Sequence, residues 1–130
     1  MKIDLDISLL TNDENKALRF SSFESLGSGS YKCKVVLNSS GFCYDNDMYF
    51  EDLENFVTDL GHMNSKLNGE AKLKEFNHEH YISFKLNDLG HLIVSGLLIE
   101  YSEHSQKLQF EFITDQTCLS GLLQGFRKLL

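Results

Sequence analysis

Five histidines, three cysteines and nineteen carboxylates are the groups in this 130-residue chain that could do chemistry. In Asn77-His78-Glu79-His80 two imidazoles stand two residues apart, a spacing that on a strand puts both on one face, where they could share an ion. A metal site needs further ligands, and no spacing holds His91, His104 or a carboxylate to that pair. His78 and His80 therefore read as surface or turn histidines, and no metal is assigned. His91, after Leu89-Gly90, reads as a hydrogen-bonded edge histidine opening a strand, not as a catalytic base. Asp45-Asn46-Asp47 starts like a calcium loop, but Phe50 and Phe56 stand where glycine and the closing acid are required. Gly27-Ser28-Gly29-Ser30 lacks the lysine and helix of a phosphate loop and reads as a turn. There is no Gly-x-Ser-x-Gly elbow, no His-Glu-x-x-His and no framed carboxylate pair, so no catalytic residue and no cofactor is assigned.

Cys33, Cys43 and Cys118 are odd in number and lack a C-x-x-C spacing, which points to neither a disulfide framework nor zinc. Cys33 falls in an alternating apolar stretch and reads as a small buried hydrophobe. Cys118 stands at a helix start, where a thiol can be activated. In Thr114-Asp115-Gln116-Thr117 a side-chain oxygen of Asp115 or Thr117 can cap the following helix, while Gln116 bridges to a neighbouring strand or loop.

The charge balance narrows the partners. Nineteen acidic against twelve basic residues give a net charge of −7, and the lysines and arginines form no run. Phosphate backbones are bound by clustered positive charge, so nucleic acid is excluded and a cationic partner fits. No apolar stretch is long enough for a membrane span, and Met1-Lys2-Ile3-Asp4-Leu5-Asp6 alternates charge where a signal peptide would be apolar. The chain reads as one cytoplasmic domain, 1–130, with enough apolar residues (42%) for a core without staples.

The elements that must position these groups follow from periodicity. Lys2 to Leu9 alternates as a strand, as do Ala17 to Glu24 and Tyr31 to Leu37, and a turn at Asn38-Ser39-Ser40-Gly41 leads into Phe42 to Tyr44. From Phe50 the apolar positions change to Leu53, Phe56, Val57, Leu60, Met63 and Leu67, the stripe of a four-turn helix with an acidic start that Asn68-Gly69 ends. Gly61 marks fraying or close packing within it. Four further strands are expected at Glu70 to Phe76, His80 to Leu86, His91 to Tyr101 and around Leu108, Phe110 and Phe112. A last helix carries Leu119, Leu122, Leu123, Phe126, Leu129 and Leu130. The order ββββαββββα argues an α+β fold: a strongly bent, mostly antiparallel sheet of about eight strands with two amphipathic helices. The two halves match in outline, which is compatible with a remote duplication.

Four blocks carry a resemblance: Phe50-Glu51-Asp52-Leu53-Glu54-Asn55-Phe56, Leu67-Asn68-Gly69-Glu70-Ala71-Lys72-Leu73, Leu89-Gly90-His91-Leu92-Ile93-Val94-Ser95-Gly96, and Phe110-Glu111-Phe112-Ile113-Thr114-Asp115-Gln116-Thr117. Over Phe42 to Leu130 the chain resembles the WapI-like immunity proteins of bacteria. The resemblance implies a cytoplasmic, non-enzymatic antitoxin that binds and occludes a toxin, commonly a nuclease, and it carries over no catalytic residue. Nucleases have basic clefts, which would give an acidic surface a purpose. Asp45, Asp47, Glu51, Asp52, Glu54 and Asp59 gather where the first helix begins and are the candidate partner-binding residues. Two other readings stay open: a small-ligand or metal-binding domain using the inner face of the sheet with His78, His80 or His91, and a homo-oligomeric structural protein. The oligomeric state is not fixed by the sequence.

Overall fold

A computed structural model describes residues 2–9, 11–75, 79–100 and 106–130. The described strands are β1 (Lys2–Ile3), β2 (Ile7–Leu9), β3 (Lys16–Gly27), β4 (Ser30–Ser39), β5 (Phe42–Phe50), β6 (Gly69–Lys74), β7 (Tyr81–Leu86), β8 (His91–Glu100) and β9 (Gln106–Asp115). The helices are α1 (Leu53–Lys66) and α2 (Cys118–Arg127). All pairings are antiparallel, and the α+β class holds. The strands form two sheets instead of one bent sheet: β1 and β2 on β3, then β4 and β5, and separately β6-β7-β8-β9. One backbone bond joins their corners, from Glu51 N–H to the Lys74 carbonyl at 3.0 Å.

The largest departures from the expected bounds have local physical reasons. The alternating run Lys2–Leu9 is broken because β3 bulges opposite it: Ser22 and Phe23 together face one residue of β4, and Ser22 has φ 54°. β1 pairs beyond the bulge and β2 before it. The same bulge lets Phe20 and Phe23, an odd number of residues apart, both point into the core. At the other end of the first half, the strand begun at Phe42 continues to Phe50 because Tyr44, Met48 and Phe50 keep the period of two, so α1 starts only at Leu53. The hairpins β3–β4 and β4–β5 close through Ser28-Gly29 and Ser40-Gly41 with all four φ positive, the type I′ geometry whose twist matches the strands.

Each half is a four-stranded meander followed by a helix: β2 to β5 with α1, and β6 to β9 with α2. Each helix packs on the first strand of the other half, α1 on β6 and α2 on β2, and the helices pack on each other. Their buried positions share one spacing, Leu53, Phe56, Val57, Leu60, Met63 against Leu119, Leu122, Leu123, Phe126, Leu129. One contiguous core runs from Ile7 to Leu129 and fills the inner faces of both sheets. Phe126 is its hub, edge-on to Phe20, Phe23 and Phe56 at centroid distances of 5.2, 6.3 and 5.1 Å. Phe56 also meets Phe84 of the second sheet.

The α2–β2 seam is closed by a missing side chain. A Cβ at Gly125 would lie 2.8 Å from Ile7 Cγ2, whereas one at Gly121 would meet nothing within 4 Å. Gly125→Ala is therefore expected to destabilise the protein by about 1–3 kcal/mol through overpacking. Gly121→Ala, on the same helix, should stabilise it by up to about 1 kcal/mol. Urea unfolding of the two variants checks the pair.

Candidate functional site

The six acidic candidates fall in two places. Asp45 and Asp47 project from the outer face of β5, not from a loop before α1, because β5 is longer than expected. Across the sheet their carboxylates meet lysines of β4: Asp45 Oδ1 lies 3.3 Å from Lys34 Nζ, and Asp47 Oδ2 lies 3.7 Å from Lys32 Nζ. Arg19 and Asp6 make a similar pair at 3.5 Å. On this face charges of both signs alternate, and such exposed pairs contribute little to stability.

Glu51, Asp52 and Asp59 come together instead in a cleft of about 240 Å³ between the start of α1 and strand β6, with Asn55, Phe56, Glu70, Lys72 and Lys74. Asp52 precedes the helix in a left-handed conformation (φ 57°, ψ 50°), and Phe56, buried, forms the apolar floor. Glu54 is exposed on the first turn outside the cleft lining. Glu70, Lys72 and Lys74 were not candidates from sequence: their strand returns past α1 only in three dimensions. Glu70 accepts a hydrogen bond from the buried Ser83 hydroxyl at 3.2 Å, and the Lys72 ammonium lies over the Tyr81 ring at 4.9 Å. Four carboxylates against two ammonium groups leave the cleft net negative.

Among the described residues the histidines are not gathered into a site. His78 and His104 lie outside the described residues. The expectation of a surface histidine fails at His80, which is 5% exposed: it continues the inward series Ile82, Phe84 and Leu86, and its Nε2 stands 3.4 Å from Glu75 Oε2. His91 opens β8, an interior strand and not an edge; its backbone is held by Asn87, whose Oδ1 accepts the His91 N–H at 3.0 Å. Among the described residues no group of three or more His, Cys, Asp or Glu is placed to hold a metal ion. The inner sheet faces, the expected place for a small ligand, are occupied by the helices. No helix among the described residues is long and apolar enough to cross a membrane.

Thr114 to Thr117 has the structural role its residue types suggest. Asp115 Oδ1 accepts the Thr117 N–H at 2.9 Å, and Gln116 packs on the β7–β8 turn, its N–H donating to the Gly90 carbonyl at 3.2 Å. Cys118 is buried, with Sγ 3.4 Å from Thr114 Oγ1. Cys33 is also buried, and Cys43 is exposed.

The comparisons extend the sequence resemblance toward the N-terminus. A family model described as the WapI-like immunity protein family matches residues 9–130, taking in β3 and β4 as well as the four blocks. The chain belongs to the WapI-like family of immunity proteins. No curated protein and no solved structure matches it. The WapI-like match covers β3 to β9 and both helices, so the α1–β6 cleft is built wholly within it.

Burial, reinforced by the negative charge of Asp47, pushes the Cys33 thiol well above its ordinary range. The folded state thus holds this proton more tightly than the unfolded state. Its stabilisation is complete below the unfolded thiol pKa of about 8.5 and is lost as pH rises beyond it. The melting temperature should fall above about pH 8.5, and fall less steeply in Cys33→Ala. Iodoacetamide should modify Cys43 in the folded protein and reach Cys33 and Cys118 only on unfolding, as peptide mass mapping would show.

Proposed function

We propose that this protein acts in the cytoplasm as a non-enzymatic immunity protein that binds a toxin domain with a basic surface and occludes it. Membership of an immunity family over residues 9–130 carries the reading. The net charge of −7 supports a basic partner, since complementary fields accelerate encounter and fix orientation. A nuclease, whose own ligand is an anion, is the toxin class this charge suits best. Lys32, Lys34 and Arg19 each lie beside a carboxylate, which speaks against a role in gripping a phosphate backbone. Within the acidic surface the proposal retains Glu51, Asp52, Glu54 and Asp59 as the docking face. It leaves aside Asp45 and Asp47, whose charges are met by lysines.

Co-expression with the toxin encoded beside its gene tests the reading. Cells should survive with the immunity protein and die without it; death in both cases, with the protein folded and abundant, would reject it. In the purified pair, Asp52→Asn with Asp59→Asn should slow association about three- to tenfold at low salt, and added salt should shrink the difference. Asp45→Asn with Asp47→Asn removes the same formal charge and should slow it less. Stopped-flow mixing measures both.

A further inference from the structure

The outer face of the second sheet departs from the pattern of the first. A sheet packed on one side only carries mostly polar residues on the other, and β4 keeps that rule, with Lys32, Lys34, Val36 and Asn38 outward. β8, the interior strand at the matching place in the second sheet, turns Ile93, Ser95 and Leu97 outward, although the contiguous core and both helices lie on its inner side. Ile93 stands opposite Ile113 of β9, which is 47% exposed, and Leu97 stands opposite Tyr81 of β7. Between these apolar pairs lies an open hollow of about 380 Å³ at Ser95, bounded by Tyr81, Gln109 and Glu111. An apolar centre inside a charged rim is the make-up of a contact surface.

We infer that two copies of this chain pair through this face, sheet on sheet, about a two-fold axis parallel to the strands and midway between β7 and β8. Charge decides both the partner and the axis. The chain has a net charge of −7, yet this face has no acidic excess: β6 and β7 carry Lys72, Lys74 and Lys85 against Glu70. β9 carries Glu111 and Asp115, and its Lys107 is held by Glu79 at 3.0 Å. A basic partner finds no attracting field here, whereas a second copy supplies the opposite polarity once β6 of one lies over β9 of the other. The stated axis does this; a two-fold axis across the strands would set lysines over lysines. The register makes the pairing specific. Lys72, Ser83, Ser95 and Glu111 stand in one row across the four strands, so Lys72 of each copy lies over Glu111 of the other. Ser83 lies over Ser95 of the second copy, and these small side chains let the sheets approach. In the next row Tyr81 meets Leu97 of the second copy. The inference stands apart from the toxin reading, whose docking carboxylates lie beside the start of α1.

Sedimentation equilibrium of the full chain tests it. Strands six to ten residues long and about 4.8 Å apart offer a face at the small end of stable interfaces. The dimer should therefore be reversible, with a dissociation constant on the order of 10 μM. Lys72→Glu and Glu111→Lys each put two like-charge contacts in place of two ion pairs and should weaken it about tenfold. An equimolar mixture of the two variants should dimerise about as well as the wild type, because each supplies the charge the other lacks. The double variant should do the same. A wild type that stays monomeric up to about 1 mM, single variants that dimerise like the wild type, or a mixture no better than its components would overturn the inference. Both positions are exposed, so the fold should survive, as circular dichroism would show. Should a variant not fold, carbodiimide coupling of the wild type decides. Within one chain Lys72 and Glu111 are three strand spacings apart, about 14 Å, beyond the reach of a direct amide link. A Lys72–Glu111 link between copies supports the pairing; a dimer coupled only elsewhere refutes it.

Discussion

The contact between Phe56 and Phe126 is the constraint on which the rest of the molecule depends. Their rings meet edge to face at 5.1 Å, and this is where α1 touches α2 in the middle of the core. Phe126 reaches the first sheet through Phe20 and Phe23, and Phe56 reaches the second through Phe84. Among the described residues no ladder joins the two sheets; a backbone bond at one corner and the side-chain bonds of Lys16 to the Ile113 carbonyl and Tyr44 to the Ile99 carbonyl link them, and the helices with their aromatic side chains fill the space between. The same placement leaves Phe56 as the floor of the acidic cleft. Its ring is fixed by the core from below, and the polar groups above it belong to a rigid helix start and a strand.

The reciprocal packing of the two halves leaves different residues beside the two helix–strand contacts. Both helices bury the same stripe and both lie on the first strand of the opposite half. Where α2 offers Gly125, Ile7 fills the space; at the matching place α1 offers Asp59, whose carboxylate would be costly to bury without a partner. The polar cleft therefore lies at the start of α1, where Asp59 stands, while the rest of the helix packs on β6. The β3 bulge belongs to the same arrangement, since it aims both Phe20 and Phe23 at Phe126 and divides the first strand in two.

The net charge acquires a geography. On the outer face of the first sheet, cross-strand pairing answers Asp45 and Asp47 with Lys34 and Lys32, and the field there is mixed. Around the start of α1 the carboxylates of Glu51, Asp52, Asp59 and Glu70 converge without an equal number of cations. For the binding role proposed above, such a local excess beside the helix start is the useful form of an acidic composition.

The order of strands and helices, the inward phenylalanines and the turn held by Asp115 before α2 were legible in the sequence, because each depends on periodicity or on neighbours a few residues away. The block resemblance from Phe42 onward led to the right family for a related reason: those blocks are the strand-to-helix corners and turns that build the core. What neighbouring residues cannot report is which strand lies across from which. That decided the break at Asp4 to Asp6, opposite the bulge at Ser22 and Phe23. It also decided the candidate site. Six acids close in sequence look like one cluster, yet the strand β5 carries two of them to a face where lysines meet them. The cleft is completed by Glu70, Lys72 and Lys74, which the chain brings back beside α1 after a full helix and a turn. Composition and local spacing determined that the protein is an acidic α+β chain with an aromatic core. Only the tertiary structure decided which carboxylates stand beside lysines of the first sheet and which line the cleft at α1, because charge pairing is a property of distances across the fold.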